Sequence, residues 1–556
     1  MARSPMTSLI AETHPWRSLN IGEGGWCGFA GSEGAAKTAA MSPDSSSGAS
    51  VDQIARVLRS LSGTFAIVRE DGERIIAAVD RTRSYPLFYC HRDGRFAVSN
   101  SARALREAFR LQEWDPLSVL EFGMSGYVTG RDTLFQGLKQ LQAGEFLVWD
   151  KDGRELHLER YYRFYVEEKR WGKREDLIEE LGAITDRAFL RAVEEAAGNP
   201  IWVPLSGGLD SRLVLCKLKE LRYDALFAFS YGPPGNHEAR VAKTVASRLG
   251  VPWRFVPSRW RASRAFFRSD LRRKYWEFAD GLSTVPFMQD LDVLADLRRK
   301  GRVPGGSVII NGQSGDFISG GHIPSALLGE RMSRRRLIEM IVDKHYSLWA
   351  PLKTPLLVKR VEEKIGRLLG WSDEMLPAPM AAKVYECWEW QERQSKYVVN
   401  GQRIYDYMEL DWSLPLWDPE LMDFWERIDP ADRAGQNLFL DYLQRYDYQG
   451  LFRGFHPKIW RWPGATIGVV PLARAAGILM GESGKDLVYR YARFIGHYRN
   501  HYAGYGAGYF LRNISKARGE IAFSVDAWLR ENSAPLEVRA PDGTPGTARV
   551  KMERVF

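Results

Sequence analysis

Short apolar runs broken by polar turns dominate the first 165 positions of the chain. Residues 64–68 (TFAIV) and 75–79 (IIAAV) flank the turn Glu70-Asp71-Gly72-Glu73, and residues 87–89 (LFY) and 96–98 (FAV) bracket a second turn at Arg92-Asp93-Gly94. Such runs, punctuated by Asp and Gly, predict antiparallel strands. Residues 1–165 therefore read as an α+β domain rich in antiparallel β-structure. Within it, residues 32–50 (SEGAAKTAAMSPDSSSGAS) are small, polar and poor in apolar anchors. That stretch predicts a loop or disordered insertion.

The texture changes after residue 165. Residues 174–195 place Leu177, Ile178, Leu181, Ile184, Ala188 and Leu190 at spacings that suit an amphipathic helix. Strand-like runs at 201–205, 225–229 and 307–310 then alternate with helical stretches at 213–221 and 239–249. This order predicts a doubly wound parallel α/β sheet over 166–472, followed by a helical C-terminal part over 473–556. No repeat of solenoid length interrupts it.

A chain of 556 residues exceeds one compact core, so about two or three domains are expected. The four cysteines are scattered and form no CxxC pair, which points away from a disulfide framework or a zinc site and toward a reducing, cytoplasmic setting. The opening MARSPMTSLIAETHPWRS lacks a secretory apolar stretch, and no run of about 18 uncharged apolar residues occurs, so a membrane is not an expected partner. The formal charge of +9 is spread over 78 basic and 69 acidic residues. The Arg334-Arg335-Arg336 run follows a plausible N-cap, Ser333, and reads as a solvated helix start; nucleic acid is not an expected partner either.

The strongest local signal is Ser206-Gly207-Gly208-Leu209-Asp210-Ser211, between an apolar run and a predicted helix. Two glycines let backbone N–H groups approach an anion, the serines offer hydroxyls, and the helix N-terminus adds its positive end. Asp210 does not suit an anion directly but suits a Mg²⁺ bridging phosphate oxygens. A tight strand-to-helix turn would use the same residue types.

This run resembles the pyrophosphatase loop of the family that includes asparagine synthetases and β-lactam synthetases. A second stretch, Asn311-Gly312-Gln313-Ser314-Gly315-Asp316-Phe317-Ile318-Ser319-Gly320-Gly321, is similar to the family's G-E-G-x-D-E-x-F-G-G segment, though a glycine-rich surface loop with a chance Asp would look alike. Gln394-Ser395-Lys396-Tyr397 and Leu414-Pro415-Leu416-Trp417-Asp418-Pro419 resemble its late helical region, so the likeness covers about residues 180–435. The resemblance implies an adenine nucleotide α-hydrolase-like (PP-loop) fold. It further implies ATP bound by Leu205, Ser206, Gly207, Gly208, Asp210, Ser211, Phe229, Ser230, Asn311 and Gly312, with Asp210 and Asp316 as catalytic residues that hold Mg²⁺. Departures are Gln313 for Glu, Ser314 for Gly, Phe317 for an acidic residue and His322 for Tyr, which puts aspartate as the acceptor in question. The family's later lysine has no placed counterpart; Lys396 and Lys458 stand nearby.

Gly63-Thr64-Phe65-Ala66, Asp80-Arg81, Pro86-Leu87-Phe88-Tyr89 and Thr133-Leu134-Phe135-Gln136-Gly137 resemble landmarks of the family's glutaminase domain, which implies an Ntn-hydrolase-like fold for residues 1–165. That chemistry needs a cysteine at the mature N-terminus, and Cys27-Gly28-Phe29-Ala30-Gly31 lies 26 residues inside the chain. The family's Arg-Gly-Pro-Asp and Asn-Gly-Glu segments are missing as well. The domain reads as degenerate, with Cys27 a buried structural residue in a strand. Gly484-Lys485 fails as a Walker loop because Leu479 and Asp486 occupy required Gly and Ser/Thr positions, and residues 504–508 read as a tyrosine-rich loop.

The implied activity is ATP-dependent amide formation: adenylation of a carboxylate, then displacement of AMP by an amine. Expected partners are aspartate or a related carboxylate such as a sugar uronic acid, ammonia from solution or from a separate glutaminase, and, in one arrangement, a second copy in a homodimer. A nucleotide-binding pseudoenzyme acting as a scaffold and an intramolecular amide cyclase remain alternatives.

Overall fold

The polar turns of the first 165 residues close hairpins in the computed structural model, which describes residues 8–11, 13–22, 25–41, 49–166, 172–288, 290–369, 374–453, 468–498 and 506–535. Asp93 and Gly94 both have positive φ (53° and 69°), the two-residue turn whose twist matches the strands Phe88–Arg92 and Arg95–Ser99. At the other hairpin the Asp71 carboxylate accepts the N–H groups of Glu73 (3.1 Å) and Arg74 (2.9 Å).

The strands form a six-stranded antiparallel sheet and a four-stranded sheet in which only Ser8–Leu9 runs parallel to its neighbour. Side chains alternate with period two. Ile75, Ala77, Val79, Leu147 and Trp149 join the main core, where Trp149 stacks on Phe96 of the smaller sheet at 4.5 Å. Ile76, Ala78, Phe146 and Val148 face the other way, onto Ile54, Ala55 and Leu58 of the helix Val51–Ser60.

Within residues 32–50, for which the sequence predicts a loop, the first part is helical instead. Residues Glu33–Met41 form a helix, supported by an alanine-rich composition and a Glu33–Lys37 pair at 2.6 Å one turn apart. Ser50 and Gln53 then build a capping box for the next helix, while 42–48 lie outside the described residues.

The second part is built on a five-stranded sheet in which every neighbouring pair is parallel. In chain order its strands are Ile201–Pro204, Leu226–Gly232, Trp253–Pro257, Val308–Ile310 and Asp411–Ser413, arranged 3-2-1-4-5. The strand order reverses between the first and fourth strands, and a crevice opens at the carboxyl ends of such a pair. Trp253–Pro257 and Asp411–Ser413 lie outside the sequence expectation. So does the start of the helix Leu209–Glu220, four positions ahead of 213.

The helix Arg174–Ala196 buries Leu177, Leu181, Ile184 and Ala188 as expected, but Leu190 is 45% exposed. Two residues beyond Ala188, it stands on the opposite face of a helix with about 3.6 residues per turn.

Both parts share one continuous core. The helix Glu520–Glu531 seals the first part by packing Trp528 on Phe122 (4.8 Å), and the Trp528 indole donates to Asp280 at 3.0 Å. The helix Val470–Tyr498 bends at Gly481 (φ 69°), and Lys485 is spent on Glu482 rather than on a phosphate loop. Ala507–Asn513 is helical, so the tyrosine-rich loop does not extend past Gly506, and residues 504–505 lie outside the described residues. Among the described residues no helix is long and apolar enough to cross a membrane.

Candidate active site

The first strand of the parallel sheet hands the chain to a tight turn. Ser206 Oγ accepts the Gly208 N–H (3.1 Å) and lies 3.0 Å from Ser211 Oγ, which accepts the Ser206 N–H at 3.1 Å. Gly208 occupies the N-cap and supplies no side-chain bond, so no side chain caps the first helical N–H groups, which an anion can then accept from. A Cβ on Gly207 would meet the Glu238 Cα at 3.3 Å, which fixes that residue as a close backbone contact.

The fourth strand delivers the second loop onto the first. A Cβ on Gly312 would lie 2.7 Å from the Asp210 carbonyl carbon, and one on Gly315 would lie 2.6 Å from the Asp210 Cγ and from Leu416 Cδ1. The two glycines therefore let the loops nest, with the Leu-Pro-Leu-Trp segment as a floor. Gly320 (φ 91°) passes so close to Arg433 that a Cβ would sit 2.6 Å from its backbone oxygen. Phe317, where the family has a second acid, is fully buried among Phe164, Trp417 and His322.

Asp210 and Asp316 are thus brought together from two strand ends. Burial, then the Asp316 charge, pushes the Asp210 carboxyl up to about 8, against a backbone hydrogen bond from Asp316. Its buried Oδ1 has no hydrogen-bond partner among the described residues. An orphaned carboxylate oxygen beside a second carboxylate fits a divalent cation with oxygen ligands, the remainder coming from phosphate and water. Among the described residues no cluster of three His, Cys, Asp or Glu side chains offers a closed metal cage.

Burial works against the Asp316 charge, but the hydrogen bond and charge of His322 hold this half-exposed carboxyl below its usual range. His322 bridges Asp316 (3.2 Å) and the buried Glu389 (2.5 Å), and Lys344 reaches Glu389 at 3.0 Å. Burial opposes the imidazolium, yet the two carboxylates raise its pKa to about 9. The sequence marks His322 only as a departure from Tyr; its partner Glu389 lies 67 residues away and gave no local signal.

An open cleft of about 240 Å³ lies over both loops. Of the expected nucleotide-binding residues, Leu205, Ser206, Gly208, Asp210, Ser211, Ser230, Asn311 and Gly312 line it. Gly207 and Phe229 do not: the first packs on Glu238 and the second is wholly buried in the core. Asp316 is not part of the wall. Tyr231, Glu238, Asp290 and Gln313 also line the cleft, with Pro204 and Ala239, and none of them is among the residues expected to bind nucleotide.

Lys396 is neither a surface residue nor part of the cleft. It is fully buried, paired with Glu392 at 2.6 Å and bonded to the Val128 and Gly130 carbonyls, so it ties the two parts together. Lys458 lies outside the described residues. Cys27 is fully buried in the strand Gly25–Gly31, and burial, opposed by Arg69, pushes its thiol up to about 12. It is a structural cysteine.

Two family models match this chain: Asparagine synthase over residues 185–446, and Glutamine amidotransferase domain over residues 52–162. The chain belongs to the asparagine synthetase family. The asparagine synthase match contains both loops of the crevice, and the amidotransferase match begins downstream of Cys27. A comparison with curated proteins finds no match. Among solved structures, a glutamine phosphoribosylpyrophosphate amidotransferase from B. subtilis, complexed with ADP and GMP, is similar at 14% identity. The likeness covers 55% of this chain and 59% of that one, and its TM-score of 0.17 is too low to carry a likeness of fold.

Proposed function

We propose that this member of the asparagine synthetase family is an ATP-dependent carboxylate–amine ligase that takes ammonia from solution or from a separate glutaminase. The observation that carries this reading is the nesting of Asp210 against Gly312 and Gly315, which places a buried, unpartnered carboxylate oxygen beside Asp316 at the switch point of the sheet. In this reading ATP lies in the cleft, with its phosphates against the uncapped N–H groups after Gly208 and the Ser206 and Ser211 hydroxyls. A substrate carboxylate oxygen attacks the α-phosphorus, the bond to the bridging oxygen of the β-phosphate breaks, and pyrophosphate leaves. Ammonia then forms the amide bond and AMP departs with the acyl oxygen. Mg²⁺ held by Asp210 and Asp316 would neutralise charge on the departing pyrophosphate.

His322 acts through Asp316. Its hydrogen bond keeps Asp316 ionised, while Glu389 holds the imidazole in place. The buried, high-pKa Cys27 supports an external nitrogen source. The acceptor is aspartate or a related carboxylate such as a sugar uronic acid. The deciding experiment is pyrophosphate release by the purified full chain with ATP, Mg²⁺ and ammonium or glutamine over a panel of carboxylic acids. Release that depends on one carboxylate and on ammonium, and that vanishes in Asp210→Ala, supports the ligase. ATP binding with no release across the panel favours the nucleotide-binding scaffold.

A further inference from the structure

We propose that Gln313 is a specificity-determining residue that offers the cleft a hydrogen-bond donor, so that the acceptor substrate turns an oxygen, and not an ammonium group, toward it. The inference rests on the ligase reading and adds the chemistry of the substrate group at this position. Gln313 lines the cleft beside Gly312, and the ends of a carboxamide are interchangeable until its neighbours orient it. Here the neighbours do so.

The orientation starts from a group that only donates. The backbone N–H of Gln313 reaches Asn311 Oδ1 at 3.0 Å, so the Asn311 oxygen faces residue 313 and its amide nitrogen faces the other way. That nitrogen lies 2.9 Å from one end of the Gln402 carboxamide, which must therefore be the oxygen. Gln402 consequently turns its own nitrogen to the Gln313 side chain and donates to Gln313 Oε1. The second Asn311 N–H goes to the Tyr405 hydroxyl at 3.2 Å, and Tyr405 passes its proton on to Asp290 at 2.7 Å.

Each step is forced by the one before. Asn311 is 4% exposed and Gln402 and Tyr405 are 0% and 2%, so reversing any amide would bury mismatched donors or acceptors. The oxygen of Gln313 is thereby taken, and among the described residues its Nε2 has no partner. Two N–H bonds are left for a ligand. They match a hydroxyl, carbonyl or carboxylate oxygen and repel an ammonium.

The test uses two acids of one carbon skeleton, L-malate with a hydroxyl and L-aspartate with an ammonium, titrated calorimetrically into the full chain. Malate is expected to bind wild type at least ~10-fold more tightly than aspartate, and Gln313→Glu to reverse that preference. Gln402→Glu has no proton for Gln313 Oε1, so it should turn the amide round and move the preference the same way from outside the cleft. Aspartate binding wild type as tightly as malate, a ratio unmoved by Gln313→Glu, or no binding of either acid overturns the inference. Pyrophosphate release over the full panel of carboxylic acids decides the ligase separately: an intact malate preference with no release from any acid of the panel would sink that reading and leave the role of Gln313 standing.

Discussion

A methyl group on Gly315 would come within 2.6 Å of the Asp210 Cγ and 2.7 Å of its Oδ1. Two loops separated by more than a hundred residues meet at this contact with no room for one added carbon. Leu416 closes the same space from below, also at 2.6 Å, so neither neighbour can step aside without moving the other. Gly315→Ala should cost ~1–3 kcal/mol of stability through overpacking and should swing the Asp210 carboxylate out of register. Thermal melting checks the first effect and ATP-dependent pyrophosphate release the second; a variant that melts and turns over like wild type would show that the loops do not nest.

Asp210 itself should be a stability liability kept for function. Its folded pKa of about 8 lies above the unfolded value of 3.8, so its stabilising contribution is whole below pH ~4 and is lost as pH rises toward 8. Without divalent cations at pH 8, Asp210→Asn should therefore be more stable than wild type, by on the order of 5 kcal/mol. Adding Mg²⁺ with ATP should raise the melting temperature of wild type and leave the variant nearly unmoved. Equal Mg²⁺-dependent stabilisation of both would place the cation elsewhere.

The part of this site legible in the sequence was the part that glycines and a strand-to-helix turn encode locally. Ser206 to Ser211 and Asn311 to Asp316 each carry their conformation in adjacent residues, so their pairing followed once both were seen to end strands. The chain Asn311–Gln402–Gln313 could not be read the same way, because amides about 90 residues apart carry no spacing rule. Gly207 and Phe229 belong to the same segments but face Glu238 and the core rather than the cleft, which adjacency in sequence does not reveal. The helix Glu33–Met41 was missed because alanines supply helix propensity without the apolar stripe that sequence patterns detect. Strand Trp253–Pro257 places Arg254 among apolar neighbours and so broke the expected run.

Cys27 gives a chemical check on the nitrogen source. A glutaminase nucleophile must be reachable and easily ionised, whereas this thiol is fully buried with its pKa pushed up to about 12. Native protein treated with iodoacetamide at pH 8 should leave Cys27 unmodified in peptide maps, with labelling only after denaturation. Cys27→Ala should keep ammonium-dependent pyrophosphate release at the wild-type rate. Rapid alkylation of Cys27 in the folded protein, or release driven by glutamine in wild type and lost in the variant, would restore the glutaminase.

The joint between the two parts should carry its own pH dependence. Tyr162 donates to Glu426 at 2.9 Å, with the Arg81 guanidinium 4.3 Å above the Tyr162 ring and paired to Asp423. Burial, with the Asp423 charge adding to it and the Tyr162 bond opposing, raises the Glu426 carboxyl from 4.5 to about 7. The folded protein thus keeps a proton that the unfolded chain gives up near pH 4.5. The stabilisation is complete below that value and disappears as pH rises through 7, a loss of up to about 3 kcal/mol. Glu426→Gln cannot ionise, so its stability should fall less than that of wild type between pH 5 and 8. Denaturant titrations at the two pH values give the comparison; parallel slopes would mean that Glu426 is ionised throughout, with Arg81 rather than a retained proton compensating its burial.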